Sequence, residues 1–346
     1  MRAVVFDGVG AVRVAEVAEP AIEEHDDAIV RVTHSAICGS DLHFVHGKAP
    51  IDPGETLGHE AVGVVEAAGG GVKRFAVGDR VVVAFNIACG ACWFCRRGET
   101  QLCESFRNLG AGRFGGGLAG AQAEMVRIPA ADHNLLRVPD GMAPERALFV
   151  GDVLTTGFYA ATLAQAASDE TVAVVGAGPV GHFCIQAALA LGAGEVIALD
   201  REPARLALAE RAGATPIDVR SRHPQAAIDE RTGGRGADVA IDAVGSTDGF
   251  GTAVDVARRG GRVVVVGVYA GETVEAQLGV WWARALTIRF SGICPVHAWW
   301  GDAMAYVHEG MIDPDPIVSH RLSIDEAVRG YELFDRREAT KVVLTP

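Results

Sequence analysis

Two domains of different class, one β-rich and one a doubly wound parallel α/β sheet, are what this sequence predicts. Three observations carry the prediction. The chain has 346 residues, more than one ordinary core organises. Residues 1 to about 36 read as short alternating strands broken by Gly and Pro-Ala turns, the start of a β-rich, barrel-like part. Residues 171–200, TVAVVGAGPVGHFCIQAALALGAGEVIALD, then hold a strand, a glycine-rich turn, a helix and a second strand in sequence. Hydrophobic content of 49% with 22% charged residues is that of a globular chain. A net charge of −13 argues against a nucleic-acid or anionic-membrane surface, which needs a clustered positive field.

In chain order, the start MRAVVFDGVGAVRV alternates as a strand and carries no apolar signal core. The run from Ile185 to Ala193 is too short to cross a hydrocarbon layer of about 30 Å. A cytoplasmic protein with reduced cysteines is therefore expected. Residues 37–63, ICGSDLHFVHGKAPIDPGETLGHEAVG, set Cys38 and His59 among glycines, with Glu60 next to the histidine. A thiolate and an imidazole are half of a zinc site. Taken singly, each residue reads as well as a small buried hydrophobe or a core histidine. Taken as a stretch, these residues resemble the zinc signature of the medium-chain, zinc-dependent alcohol dehydrogenases, and the resemblance extends along the whole chain.

After the run FAVGDRVVV from Phe75, four cysteines stand at Cys89, Cys92, Cys95 and Cys103. Four thiolates close a tetrahedral shell around a structural zinc, and four thiolates also hold iron–sulfur clusters. The resemblance favours zinc. Residues 107–121, RNLGAGRFGGGLAGA, form a glycine-rich loop, either a plain connector or a lid over a substrate cleft. Asp152 then precedes the helical run VLTTGFYAA, where it suits a helix N-cap. The resemblance puts it instead at a position where the family carries a zinc-ligating cysteine or aspartate.

In the α/β part, Gly176 allows the tight turn, Gly178 lets backbone approach a pyrophosphate, and Gly181 lets helix and strand pack closely. Pro179 and Val180 open the helix, whose N-terminal N–H groups favour phosphate. Asp200 ends the second strand and can accept the ribose hydroxyls, which predicts NAD over NADP. Arg201 beside it has three readings: stacked on adenine, solvated, or paired with a 2′-phosphate. Strand-like segments near residues 236, 260 and 286 complete a parallel sheet. Trp281–Trp282 and Trp299–Trp300 suit core or interface positions, and Cys184 and Cys294 suit buried structural ones. Lys341, in the closing strand, is either a surface lysine or the family's basic residue on the cofactor pyrophosphate.

The resemblance implies a GroES-like catalytic domain over residues 1–150 and 292–346 and a Rossmann domain over residues 151–291. It implies two zinc ions and NAD. Cys38, His59 and Asp152 would hold the catalytic zinc, and Glu60 would tune it or join it. Ser40 and His43 would relay the proton outward. Gly39 departs from family members that carry a phosphate-touching basic residue there. The implied reaction is reversible oxidation of an alcohol to an aldehyde or ketone. Polyol, threonine and formaldehyde-type dehydrogenases are the alternatives within the family, and a non-catalytic NAD-binding protein is the alternative outside it. A homo-oligomer is expected, a tetramer ahead of a dimer.

Overall fold

The computed structural model describes residues 1–346, which divide into two compact units. The first comprises Met1–Asp152, Pro295–His308 and Val318–Pro346, and the second Val153–Cys294 and Glu309–Ile317. The expected division left 292–346 whole with the first domain. Glu309–Ile317 instead joins the second unit, where the Gln186 amide bonds both backbone groups of Asp313, at 2.8 and 2.7 Å.

The first unit is built on a seven-stranded sheet. Its path runs His320–Ser323, Val342–Thr345, Ala28–Ile37, Glu60–Ala68, Arg80–Val83 and Leu135–Arg137, and Met125–Ile128 also pairs with Ala28–Ile37. Alternation explains the core. Val30, Val32, Val65, Val81 and Val83 face one buried cluster with Ile128 and Leu135. A second cluster forms where Tyr331 and Phe334 of the helix Ala327–Asp335 meet Ile37 and Leu344. The closing strand Val342–Thr345 pairs antiparallel with Ala28–Ile37, so Val342 lies opposite Ile37, one residue before Cys38. That register brings Lys341 to the start of the metal-binding stretch.

The second unit is a six-stranded, all-parallel sheet in the order Thr215–Asp218, Glu195–Asp200, Thr171–Val175, Ala237–Asp242, Ala257–Val265, Thr287–Phe290. The strand order reverses between Thr171–Val175 and Ala237–Asp242. In such sheets ligands bind at the strands' carboxyl ends beside that switch point, where the glycine-rich turn lies. Trp281 packs on Phe250 in this unit's core, with ring centroids 5.8 Å apart. No single helix is long and apolar enough to cross a membrane.

Candidate metal centres and dinucleotide turn

Cys38 follows directly on the long strand Ala28–Ile37, and His59 immediately precedes the strand Glu60–Ala68. Because these strands pair antiparallel, with Ala36 opposite Glu60, residues far apart in sequence meet at one sheet end. Asp152 arrives from beyond the short turn Phe149–Gly151. Gly151 lies where a Cβ would strike the Val83 carbonyl, so the turn rests directly on the sheet.

One donor atom each from Cys38, His59, Glu60 and Asp152 lies within 4.8 Å of the others. His59 Nε2 is 3.2 Å from both Asp152 Oδ2 and Ser40 Oγ, and Cys38 Sγ is 3.9 Å from Asp152 Oδ2. Nε2 therefore faces the donor group, and Nδ1 faces away toward Asp41, 3.2 Å distant. Burial alone would push His59 down, but the Asp41 and Asp152 carboxylates hold its protonated form well above the ordinary histidine range.

Glu60 has no exposed surface, and one of its oxygens accepts from the Lys341 ammonium, which is equally buried and lies 5.8 Å from the Phe149 ring centroid. Burial disfavours the Lys341 charge, yet Glu60, Cys38 and Asp152 hold it protonated. The surface reading of Lys341 is thus overturned, since a buried ammonium needs a partner and the strand register supplies one. The other Glu60 oxygen, Oε2, is buried with no hydrogen-bond partner. An orphaned carboxylate oxygen beside a thiol, an imidazole and a second carboxylate fits a divalent cation of zinc's type. Phe85 stands edge-on to His59, at 6.3 Å between centroids. Phe114, on the glycine-rich loop, is 74% exposed.

The second centre is local. Cys92 Sγ lies 3.5 Å from Cys95 Sγ, and Cys89 Sγ lies 3.9 Å from Cys95 Sγ. Four sulfurs each at 2.3 Å from one zinc would stand about 3.8 Å apart. All seven cysteines are free thiols, and sulfurs this close enclose one ion rather than a cluster. Backbone N–H groups of Cys89 and Ser105 donate to Cys103 Sγ, both at 3.3 Å, and that of Cys92 donates to Cys89 Sγ at 3.4 Å. Backbone N–H groups of Cys95 and Glu104 push the Cys92 thiol down to about 6, toward the thiolate that metal binding requires.

In the second unit the glycine-rich turn has the geometry its residues imply. Gly176 has φ +88°, in the left-handed region. A Cβ at Gly181 would collide with the Gly176 carbonyl. Pro179 occupies the first turn of the helix Pro179–Ala190, with Val180 following. Asp200 Oδ2 accepts from the Ala177 N–H at 2.7 Å, and Oδ1 accepts from the N–H groups of Arg201 and Glu202 at 2.7 and 2.9 Å. The carboxylate is thereby fixed at the mouth of the turn. The Arg201 side chain turns to Glu202, at 3.7 Å.

Four residues escaped the sequence reasoning. Asp41 lies within the stretch already singled out, three positions after Cys38, and its spacing was a usable signal. Arg205 sits one turn into the helix after Asp200, its guanidinium 3.9 Å from that carboxylate and beside Gly178. Gln122 reaches Asp41 from one distant segment and Tyr331 reaches Gln122 from another, and no spacing in the sequence marks them.

Two family models match the chain. The alcohol dehydrogenase GroES-like domain matches residues 24–140, and the zinc-binding dehydrogenase matches residues 179–309. A probable zinc-binding alcohol dehydrogenase of Mycobacterium tuberculosis is 40% identical over 332 residues, covering 96% of this chain and 84% of the relative. The alcohol dehydrogenase of Thermus sp. ATN1 superposes with a TM-score of 0.95 at 44% identity, over 100% of this chain and 99% of that one. A dehydrogenase of Sinorhizobium meliloti 1021, solved bound to NADP, superposes with a TM-score of 0.88 at 32% identity, over 100% and 99% of the two chains.

Proposed function

The chain belongs to the zinc-binding medium-chain alcohol dehydrogenase family, and from that premise we propose that it reversibly oxidises a small alcohol to an aldehyde or ketone with NAD. The observation that carries the reading is the mixed donor group of Cys38, His59 and Asp152, with orphaned Glu60 Oε2 beside it and Ser40 Oγ 3.2 Å from His59 Nε2. Cys38, His59 and Asp152 would hold the catalytic zinc, and the four cysteines of the lobe a structural one. When bound, zinc supplies Lewis acidity that makes an alcohol hydroxyl acidic near neutral pH, and NAD supplies the hydride acceptor.

The chain's own groups do the rest. Ser40, at the head of the short helix Asp41–Val45, takes the hydroxyl proton, and His43 within that helix passes it outward. Lys341 is paired with Glu60, so contact of Lys341 with a pyrophosphate would require it to leave Glu60. Gly178 admits the pyrophosphate to the turn. Asp200, already bonded to three backbone N–H groups, presents a fixed negative group that disfavours a 2′-phosphate. Arg201 and Arg205 border it.

A panel of simple, benzylic, polyol and formaldehyde-type alcohols, followed by nicotinamide absorbance with NAD and with NADP, tests the reading. Turnover with NAD by the two-zinc protein is expected. The absence of turnover with every alcohol would overturn the activity, and equal rates with NADP would overturn the role given to Asp200.

We also propose a homo-oligomer, a tetramer ahead of a dimer. Its support is the edge strand Thr287–Phe290, where Phe290 is 65% exposed, and the adjoining helix Leu278–Ala283, where Trp282 is 84% exposed. Unpaired strand edges and large exposed apolar groups are normally covered. A 36 kDa particle in light scattering would refute it.

A further inference from the structure

Asp41 holds two of the metal-binding residues at once. Its Oδ2 accepts the backbone N–H of Cys38 at 2.9 Å, and its Oδ1 lies 3.2 Å from His59 Nδ1. In this geometry that second approach is close but is not aligned as a hydrogen bond. A buried carboxylate with so few donors is free to rotate unless something else fixes it. Gln122 does so. Its Nε2 donates to Asp41 Oδ2 and to the Ala36 carbonyl, each at 3.1 Å, while its Oε1 accepts from the Tyr331 hydroxyl at 2.8 Å.

The orientation of this amide has one solution. The Asp41 carboxylate and the Ala36 carbonyl are both acceptors, so the NH₂ group must face them, and the oxygen must face the phenol. Burial and the Asp41 charge keep that phenol protonated, hence a donor. Asp41 and Gln122 have no exposed surface and Tyr331 has 4%. Gly58 completes the arrangement: it has φ +91°, and a Cβ there would strike the Gln122 side chain. The residue before His59 is therefore packed against the amide that orients the carboxylate behind His59.

We propose that Gln122, locked by Tyr331, is a positioning residue for the catalytic metal: it holds Asp41 where that carboxylate aligns His59 and Cys38 together. The inference rests on the Cys38–His59–Asp152 reading and extends it two residues outward. Groups behind a metal ligand typically change affinity by about 10–100-fold. The effect should fall on one zinc and spare the other, because the four-cysteine lobe shares none of these bonds.

The test is zinc release to a chromophoric chelator from the full-length two-zinc protein, with melting temperature measured alongside. Gln122→Met keeps the volume and removes the amide. It should release one zinc about 10-fold faster and leave the second at the wild-type rate. Tyr331→Phe, which keeps the ring packing, should act in the same direction and more weakly, and it serves if Gln122→Met fails to fold. Wild-type release rates in both variants would overturn the inference. So would parallel loss of both metals with a lowered melting temperature, which would mark general loosening. A wild-type protein holding only the four-cysteine zinc would sink the underlying reading and the inference with it, and the wild-type metal content separates that failure from the others.

Discussion

The two metal centres differ in how far the chain travels to make them. The lobe's ligands lie between Cys89 and Cys103, and a few backbone turns bring them together. The other centre draws on Cys38, His59, Glu60 and Asp152, from three separated segments of one unit. The lobe is all sulfur, and backbone N–H groups point at its sulfurs, at Cys89 from Ala91 and Cys92 and at Cys103 from Cys89 and Ser105. The distant centre mixes sulfur, nitrogen and oxygen and is bordered by Asp41 and Lys341. A closed local set of thiolates suits stability, since its donors have no role beyond the ion. An assembled mixed set leaves charges and a position uncommitted, which suits chemistry.

The largest effect that would sharpen this contrast is on folding. Cys103→Ser removes one of four thiolates from the closed lobe, where loss of metal is loss of folding energy. A fall in unfolding free energy of about 4 kcal/mol or more is expected in a denaturant titration. If zinc content and stability stay at wild-type levels, the lobe is not a metal-dependent fold element and the contrast breaks.

Asp152→Ala should invert that pattern. It removes the carboxylate proposed as a ligand of the open centre, so zinc per chain should fall from two to one while the melting temperature changes little. Activity should drop about 1000-fold, the several kcal/mol that a Lewis acid supplies. Retention of both metals and of full activity would reduce Asp152 to a helix cap.

The smallest expected effect concerns how the lobe is anchored. His297 bonds Thr100 Oγ1 at 3.0 Å and Asn134 Oδ1 at 2.8 Å, and Asn134 in turn bonds both backbone groups of Ala88, beside Cys89. Burial, then the neighbouring His133, push His297 down to about 3. Its unfolded value is about 6.5, so between those limits the unfolded chain holds the extra proton. Stability must then fall as pH falls from about 6.5 toward 3. With this ring half-buried, its share between about pH 7 and pH 5 should be about 1 kcal/mol. His297→Gln should flatten the stability-versus-pH curve by that amount. An unchanged slope would show that the anchor is insensitive to protonation.

Much of this was legible from residues alone. Four cysteines at short spacing specify their own neighbourhood, because chain connectivity keeps them within reach of one ion. The glycine-rich turn is equally local: Gly176, Gly181 and the strands around them dictate the turn by sterics, and Asp200 follows from the length of one βαβ unit. The expected division into two domains came from the chain's length, the alternating strands at its start and the βαβ unit of residues 171–200, with the bounds taken from the family resemblance.

What only the tertiary structure decided was the identity of partners brought together by pairing. Lys341 gave two readings because a lysine in a strand reveals its face only once the strand's neighbours are known. The antiparallel register of Val342 with Ile37 carries it to Glu60, and neither residue's sequence surroundings record that register. Gln122 and Tyr331 are likewise an ordinary loop glutamine and a helix tyrosine until the helix Ala327–Asp335 brings the phenol to the amide. Local sequence sets turns and short-range ligand clusters through sterics and connectivity. Which buried charges neutralise one another is set by long-range pairing, where the cost of an unpartnered polar group selects the arrangement.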